Sequence, residues 1–456
     1  LLPASAAASL SILSESSDKM TEQNFAHLGL VGCGGAGFPT QVKLAARNVD
    51  ALIVNAAECE PLLHKDKEIL KHHTADFFKG LIASIDLTGA KTGYIGLKKK
   101  YHELLEYLEK AIPDKRIKML PLGDFYPAGD EYELVYEATG RLIPHGGIPL
   151  NIGCVVMNVE TLLNIGRNRP VTSKFLTITG KVPHPCTVEV PIGITVREAL
   201  ALAGLKSTDG LRIIDGGPMM GKLISDPDND IVSKTCGGLI AMPVDHVLIR
   251  KMSAGDKKNS RIARSACDQC TDCSELCPRA LLGYPIRPHK AMRTAQFAPY
   301  AESDYAIDSI FCSECGLCSL FSCPEDLPPR EMCMISKKFH LGRGVKPADF
   351  KGQPQIHPMR QARRVSIERL LKKLALLDFN HKAPLTDITQ RFEKVTLPLK
   401  MHIGVPVTPV VKAGETVKAG QLIGAVPEGK LGAALHASIS GKVAAITDRA
   451  IVIARD

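Results

Sequence analysis

The chain has no tryptophan, and aromatic residues make up only 5% of it. Its net charge of +9 is modest for 456 residues and is spread over short basic runs. Proteins that bind nucleic acids usually concentrate positive charge and interleave it with aromatic side chains, so we expect no nucleic-acid partner. The sequence also lacks an apolar run long enough to span a lipid bilayer, which predicts that it has no transmembrane segment.

The length of the chain predicts several domains. A hydrophobic content of 45% and a charged content of 23% are typical of soluble globular proteins. Because 456 residues exceed what one hydrophobic core serves, we expect three or more domains. The chain does not begin with methionine, and its apolar first residues lack the basic flank of a signal peptide. Since Met20 is a candidate start site, we interpret residues 1–19 as an extension.

Eight of the fourteen cysteines fall into two runs of similar spacing. The first run contains Cys267, Cys270, Cys273 and Cys277, and the second contains Cys312, Cys315, Cys318 and Cys323. The first has the C-x2-C-x2-C-x3-C-P spacing of bacterial ferredoxins, and the second has one more residue before its last cysteine. In two-cluster ferredoxins, the cysteine before proline ligates the other cluster. We therefore expect two [4Fe-4S] clusters with crossed ligands, Cys323 completing the first triplet and Cys277 the second.

Two other interpretations of these cysteines remain open. Paired C-x2-C spacings are common in zinc sites, but a third cysteine and a terminal Cys-Pro favour iron–sulfur clusters. Disulfides fit such tight loops poorly and are typical of small secreted scaffolds rather than a chain of this length. Cluster-binding cysteines also indicate a reducing compartment, so we predict a cytoplasmic protein.

A glycine-rich stretch near the start predicts a ligand-binding loop. Gly32, Gly34 and Gly37 match the G-x-G-x-x-G dinucleotide fingerprint, although Gly35 and Pro39 are atypical of it. Glycines allow positive φ angles and close approach of a ligand to the backbone. A helix that begins near Pro39 would direct its free N–H groups at a phosphate. The alternative is a tight glycine turn that binds nothing.

Alternating strands and helices follow the glycine loop. The apolar run 51–55 predicts a buried parallel strand, and a helix over 68–85, a strand over 91–97 and a helix over 101–111 continue the alternation. Polar residues follow the first strand directly. Open α/β sheets bind ligands beyond the carboxyl ends of their strands, so these residues are candidate ligand contacts.

Residues 28–170, with GGAGFPT followed by Val-Lys, resemble the flavin-bearing, NADH-oxidising subunit of respiratory complex I and the RnfC component of the Rnf ion-translocating complex. The resemblance implies that Gly32, Gly34 and Lys43 hold the phosphate and ribityl part of FMN. It implies that Asn55, Glu58 and Glu60 lie beside the flavin ring and the nicotinamide, the two carboxylates orienting the nucleotide and tuning the flavin. It further implies that Tyr126, Gly129 and Glu131 line the nucleotide entrance, and that Asn158 and Thr161 close over the flavin. Ala57 and Met157 depart from the complex I pattern.

The remaining segments complete the predicted architecture, an α/β multidomain protein. Residues 174–250 resemble the soluble-ligand-binding β-grasp (SLBB) domain of the same proteins, and residues 397–456 resemble a lipoyl/biotinyl-type barrel-sandwich hybrid without a carrier-lysine motif. The predicted segments are a Rossmann-like FMN- and NADH-binding domain (20–172), a β-grasp domain (173–252), a ferredoxin-like domain with two [4Fe-4S] clusters (253–345), a helical linker (346–395) and a barrel-sandwich hybrid (396–456).

These parts predict an oxidoreductase that takes a pair of electrons from NADH and passes them on one at a time. Flavin accepts a hydride, whereas iron–sulfur clusters carry one electron at a time. A carboxyl-terminal barrel-sandwich piece and the longer second cysteine run resemble the cobalamin reductase family of propanediol-utilisation microcompartments. That resemblance implies reduction of the corrin cobalt from Co(III) and Co(II) to Co(I). It also implies an adenosyltransferase and shell proteins as partners inside a bacterial microcompartment. The alternatives are an Rnf-type protein that serves ferredoxin or a membrane partner, and an electron-transfer adaptor without NADH chemistry.

Overall fold

The computed structural model describes residues 25, 27–253, 266–297 and 303–455. The interpretation of residues 1–19 and of Met20 lies outside these residues, as does the beginning of the predicted third domain. Among the described helices, none is both long enough and apolar enough to cross a bilayer.

The first domain is a parallel sheet covered by helices. Its strands are β1 (Ala51–Ala56), β2 (Thr92–Lys98), β3 (Ile117–Leu122), the short β4 (Phe125–Tyr126) and β5 (Cys154–Asn158). Its helices are α1 (Thr40–Leu44), α2 (Lys65–His72), α3 (Thr74–Thr88), α4 (His102–Ala111), α5 (Glu131–Thr139) and α6 (Val159–Arg167). The sheet has the order β3-β2-β1-β5, and every pairing is parallel. Strand β1 is apolar because both of its faces are covered.

Helices α3 and α6 pack with their backbones in close contact. A Cβ atom on Gly80 would lie 1.8 Å from the carbonyl oxygen of Leu162, and one on Gly166 would lie 1.8 Å from that of Asp76. The single helix predicted over 68–85 is two helices, because the backbone at His73 leaves the helical region. The break lets α3 turn onto α6, which begins next to the glycine loop.

The second domain is a mixed five-stranded sheet with one helix. It comprises β6 (Ser173–Gly180), β7 (Cys186–Pro191), α7 (Val196–Leu202), β8 (Leu211–Asp215), β9 (Lys222–Leu223) and β10 (Gly238–Pro243). The order is β7-β6-β10-β8-β9, with only β6 and β10 parallel among the described pairings. A capping box between Thr195 and Glu198 begins α7.

Short helices dominate the cysteine-rich region. They are α8 (Val247–Ser253), α9 (Asp272–Glu275), α10 (Pro278–Leu281), α11 (Pro288–Phe297) and α12 (Pro329–Gly342), with a 3-10 helix at Asp304–Phe311 and a π-helix at Cys318–Ser322. Both cysteine triplets lie on loops that lead into one of these short helices, so the backbone around each triplet is compact.

The segment 346–395 contains less helix than the predicted helical linker. It forms β11 (Val365–Ser366) and α13 (Ile367–Lys373), with 3-10 turns at Pro347–Asp349 and Leu377–Phe379. Strand β11 pairs with β4, and Arg360 forms buried ion pairs with Glu133 and Glu137 of α5. This segment is therefore fastened to the first domain.

Two small sheets form the last domain. One contains β12 (Lys394–Pro398), β14 (Thr416–Val417), β17 (Gly441–Ile446) and β18 (Ala450–Ala454), and the other contains β13 (Thr408–Pro409), β15 (Leu422–Ala425) and β16 (Leu435–His436). The buried Lys234 donates hydrogen bonds to the carbonyl oxygens of Gly29 (2.8 Å) and Ala434 (2.9 Å). Its ammonium group thus joins the first, second and last domains.

Candidate functional site

The glycine loop is closed at its base and open above. Val31 and Pro39 form a β-bridge, and the amide of Gly32 donates to the carbonyl of Phe38 at 2.8 Å. A Cβ on Gly34 would meet only Asn158 Cβ, at 3.7 Å, and one on Gly35 would have no described atom within 4 Å. The amide of Cys33 donates to Thr161 Oγ1 at 3.0 Å. The loop is therefore tied to α6 and leaves space over Gly34 and Gly35 for a bound group.

Two asparagines that the sequence predicts as flavin contacts lie side by side at the carboxyl ends of β1 and β5. Asn55 and Asn158 are register partners in the parallel sheet. The side chain of Asn55 donates to the carbonyl of Gly129 at 2.8 Å. Asn158 caps α6 by accepting from the amide of Glu160 and donates to Asp66 Oδ2, both at 2.9 Å. The structure thus brings together predicted residues that are about a hundred positions apart in the chain.

Lys43 and Glu131 form an ion pair at the same edge of the sheet. The ammonium of Lys43 lies 3.2 Å from Glu131 Oε1 and donates to the carbonyl of Val156 at 2.8 Å. Both side chains are partly exposed. Their polar groups therefore remain accessible to a ligand that lies over the glycine loop.

Unpaired polar atoms fit the binding of a polar planar group here. Glu58 Oε2 and Thr40 Oγ1 are buried and have no hydrogen-bond partner in the described structure. The other oxygen of Glu58 accepts from the amide of Asp66 at 2.8 Å, and burial raises the pKa of Glu58. Buried polar atoms rarely stay unpaired, so these two atoms are candidate ligand contacts. Together with the open loop, they fit FMN.

Glu60 reaches into the second domain. Its carboxylate accepts hydrogen bonds from the amides of Met219 (2.9 Å) and Met220 (3.0 Å). Burial raises its pKa to about 7, although these hydrogen bonds and Arg330 oppose the rise. A Cβ on Gly217 would lie 2.1 Å from Glu60 Oε2, so the loop approaches closely because residue 217 is glycine. Glu60 therefore holds the β-grasp domain against the first domain.

Tyr126 is buried instead of lining an open entrance. It is 2% exposed, and its hydroxyl donates to the carbonyl oxygen of Cys315 at 2.7 Å. Burial raises its pKa well above the usual range, so the hydroxyl keeps its proton. The pairing of β4 with β11 turns this tyrosine toward the second cysteine run.

The first cysteine triplet shares a cavity with the last cysteine of the second run. Cys267, Cys270, Cys273 and Cys323 line it together with His289 and Met292. Burial and then Cys323, Cys270 and Cys267 raise the pKa of Cys273 to about 12. Four sulfurs around one cavity are the donor set of a [4Fe-4S] cluster. In the described part of the chain, no three His, Cys, Asp or Glu side chains converge on the position of a single metal ion.

The second triplet is electrostatically grouped with Cys277. Burial, followed by Cys315, raises the pKa of Cys277, and Cys312 adds to the effect. The pKa of Cys318 is raised by burial and then by Cys315, Cys312 and Cys277, ahead of Cys273. These neighbours fit a second cluster with the crossed ligand set.

Several residues at these sites have no signal in the sequence. Glu160 is 1% exposed and accepts from Lys65 at 3.0 Å and from Lys174, next to the Asp66 that holds Asn158. Cys333, outside both runs, is fully buried and interacts with the thiol of Cys312. These contacts join distant segments, which neither spacing nor periodicity predicts.

An open glycine loop on a parallel sheet, followed by two four-cysteine sets, defines the class of flavin iron–sulfur electron-transfer proteins. Family models match the Nuo51 FMN-binding domain (residues 25–167), the SLBB domain (175–223), the 4Fe-4S dicluster domain (266–328) and the RnfC barrel sandwich hybrid domain (379–456). The predicted fold class is confirmed, and the chain contains an FMN-binding domain and a 4Fe-4S dicluster domain.

The chain belongs to the cobalamin reductase PduS family of oxidoreductases. It is 40% identical over 451 residues to cobalamin reductase PduS of Salmonella typhimurium, covering 97% of this chain and 98% of that protein. It is also 40% identical to the PduS of Citrobacter freundii, covering 94% of each chain. A component of the Na(+)-translocating ferredoxin:NAD(+) oxidoreductase complex of Acetobacterium woodii is 34% identical over 261 residues, 55% of this chain and 56% of that one.

Proposed function

We propose that this protein oxidises NADH and delivers electrons through FMN and two [4Fe-4S] clusters to cobalamin. The observation that carries this proposal is 40% identity to a cobalamin reductase along nearly the whole of both chains. NADH gives up two electrons and a proton as it becomes NAD+, and two electrons reduce Co(III) to Co(I), so the reaction balances. FMN takes up a hydride and releases single electrons, and the clusters carry those electrons one at a time.

The proposed FMN site consists of residues from three parts of the first domain. The glycines Gly32 and Gly34 provide close backbone approach, and Lys43 provides a cation for the phosphate. The remaining residues that we assign to flavin and nucleotide binding are Asn55, Glu58, Gly129, Glu131, Asn158 and Thr161. Glu58 is placed to accept a hydrogen bond with its unpaired oxygen. Glu60 and Tyr126 support this site from its boundary with the other domains.

The proposed cluster ligands follow the crossed pattern. Cys267, Cys270, Cys273 and Cys323 hold one cluster, which the shared cavity supports. Cys312, Cys315, Cys318 and Cys277 hold the other. The proposed domains are residues 20–172, 173–252, 253–345, 346–395 and 396–456. We further propose an adenosyltransferase that consumes Co(I) and microcompartment shell proteins as partners, and a location inside a bacterial microcompartment, which the similarity to cobalamin reductases supports.

Anaerobic spectroscopy tests the proposal. The purified protein is mixed with NADH, and flavin bleaching is followed together with the reduction of hydroxocobalamin or of ferredoxin. Bleaching and cobalamin reduction are the expected results. Bleaching with ferredoxin as the only competent acceptor would favour the Rnf-type function, which the similarity to the Acetobacterium woodii protein supports as a second candidate. If NADH does not bleach the flavin, the result would favour an electron-transfer adaptor without NADH chemistry of its own.

A further inference from the structure

Two contacts between the first domain and the ferredoxin-like region lie at or near assigned ligands of the second predicted cluster, the one of Cys312, Cys315, Cys318 and Cys277. Tyr126 donates its hydroxyl proton to the carbonyl of Cys315 at 2.7 Å. Arg279, two residues after Cys277, pairs with Asp130 at 2.9 Å, and both side chains are largely buried. Asp130 is also the residue that caps α5 of the first domain. Cys315 and Cys277 are both assigned to the second cluster, so the segments that carry two of its four assigned ligands contact the domain that holds the flavin site.

The β-grasp domain strengthens the same junction. A Cβ on Gly316, which has a φ of +79°, would lie 2.6 Å from the carbonyl oxygen of Met219. The amide of Met219 donates a hydrogen bond to Glu60, and the carbonyl of Met219 accepts one from Arg330 at 3.3 Å. Glu60 follows β1 and lies two residues after Glu58 of the proposed flavin site. The second cysteine loop therefore contacts Met219, which is hydrogen-bonded to Arg330 and to Glu60 next to the proposed flavin site.

The first cysteine loop has different surroundings. The other walls of its cavity are residues of the ferredoxin-like region itself, including His289, Met292 and Pro324. Ser274, which follows Cys273, contacts His289 at 2.8 Å. Cys270 is exposed, whereas each cysteine of the second triplet is only partly exposed. Within the described residues, this cluster site is therefore open to solvent at Cys270.

We propose that the cluster of Cys312, Cys315, Cys318 and Cys277 is the proximal cluster, which is reduced first, and that the other is the distal cluster, which delivers electrons at the surface beside Cys270. This order rests on the proposed function, because it needs NADH as the source of electrons. Cys312, Cys315, Cys318 and Cys277 would hold the group that accepts each single electron from the bound flavin, and Cys267, Cys270, Cys273 and Cys323 would hold the group that passes it on. Each transfer would move one electron and no proton. Electron transfer slows steeply with distance, so the cluster fastened to the flavin domain is favoured as the first acceptor.

Tyr126 is the positioning residue of this junction. Its hydroxyl contacts the backbone of a ligand and not the reacting atoms, so it acts by holding the proximal cluster at a fixed distance. Tyr107 offers a matched control, since its hydroxyl also forms one hydrogen bond, with Thr74 Oγ1 of α3 at 3.1 Å. Replacing either tyrosine by phenylalanine removes one hydrogen bond and keeps the ring.

The test compares Cys315→Ala with Cys270→Ala, one cysteine from each triplet. Each variant is frozen at set times after anaerobic NADH addition, and reduced clusters are counted by electron paramagnetic resonance. Dithionite, which reduces clusters without the flavin, reports whether the remaining cluster is assembled. We expect Cys270→Ala to reduce its proximal cluster at the wild-type rate. We expect Cys315→Ala to reduce its distal cluster at least roughly tenfold more slowly with NADH, although dithionite still reduces it.

The outcomes separate this inference from the proposed function. Failure of NADH to bleach the wild-type flavin would remove the proposed function itself. Normal bleaching, with the distal cluster of Cys315→Ala reduced as fast as in the wild type, would overturn the order of clusters alone. If Cys315→Ala assembles neither cluster, Tyr126→Phe decides. It should slow reduction of the proximal cluster severalfold and leave both dithionite signals intact, while Tyr107→Phe has no effect. Equal rates in the two tyrosine variants would count against the inference.

Discussion

Glu60 makes the contact between the first two domains sensitive to pH. Its carboxyl has an ordinary pKa of 4.5, and burial raises this to about 7 in the folded protein. A group whose pKa is higher in the folded state binds its proton more tightly there. Its contribution to stability is therefore complete below the unfolded pKa and is lost as the pH rises through the folded pKa. The full contribution is about 3 kcal/mol, from about 1.4 kcal/mol for each pKa unit.

The effect should be measurable where iron–sulfur clusters remain intact. Between about pH 6 and about pH 8, the linkage relation gives a loss of about 1.4 kcal/mol, or about tenfold in the opening equilibrium of the contact. Hydrogen exchange of the peptide that contains Met219 and Met220 reports this opening, because the amides of both residues donate hydrogen bonds to the Glu60 carboxylate. After correction for the intrinsic pH dependence of exchange, we expect its protection to fall about tenfold over this range.

Glu60→Gln is the decisive variant. Glutamine does not titrate, so the corrected protection of the same peptide should become independent of pH. The peptide that contains β17, which lies in the last domain, serves as an internal control in both proteins. A wild-type protection factor that stays constant from pH 6 to pH 8, or an equal slope in Glu60→Gln, would show that this carboxyl does not titrate at the contact.

Further predictions concern the clusters, the flavin loop and the helix packing. Cys277→Ala should change the spectroscopic signal of the cluster held by the second triplet, and damage confined to the cluster of the first triplet would contradict crossed ligation. Gly34→Val should fold and keep its iron, since a Cβ there meets only Asn158 at 3.7 Å, but should bind FMN roughly tenfold more weakly or worse. Full flavin occupancy in this variant, measured against Gly342→Val, would place FMN elsewhere. Gly80→Ala should destabilise the first domain by about 2 kcal/mol in denaturant titrations, because overpacking at α6 exceeds the roughly 1 kcal/mol gained in helix propensity. A more stable variant would contradict the packing argument.

The sequence alone determined which modules are present and in which order. Cysteine spacing is local, so the runs at 267–277 and 312–323 predict clusters without knowledge of the fold. The glycine loop is also local, since it requires only that the backbone be unhindered over a few residues. The apolar run at 51–55 correctly predicted a buried parallel strand, which the structure extends by one residue to Ala56.

Only the tertiary structure decided how the modules meet. The hydrogen bond from Tyr126 to Cys315 spans 189 residues of chain, and that from Met219 to Glu60 spans 159. No periodicity links such distant positions. The buried Tyr126 and the partly buried Glu60 need hydrogen-bond partners, but which backbone groups supply them depends on how the domains pack. For that physical reason the sequence predicts which electron carriers the protein binds, whereas the contacts between the domains that hold them follow only from the folded structure.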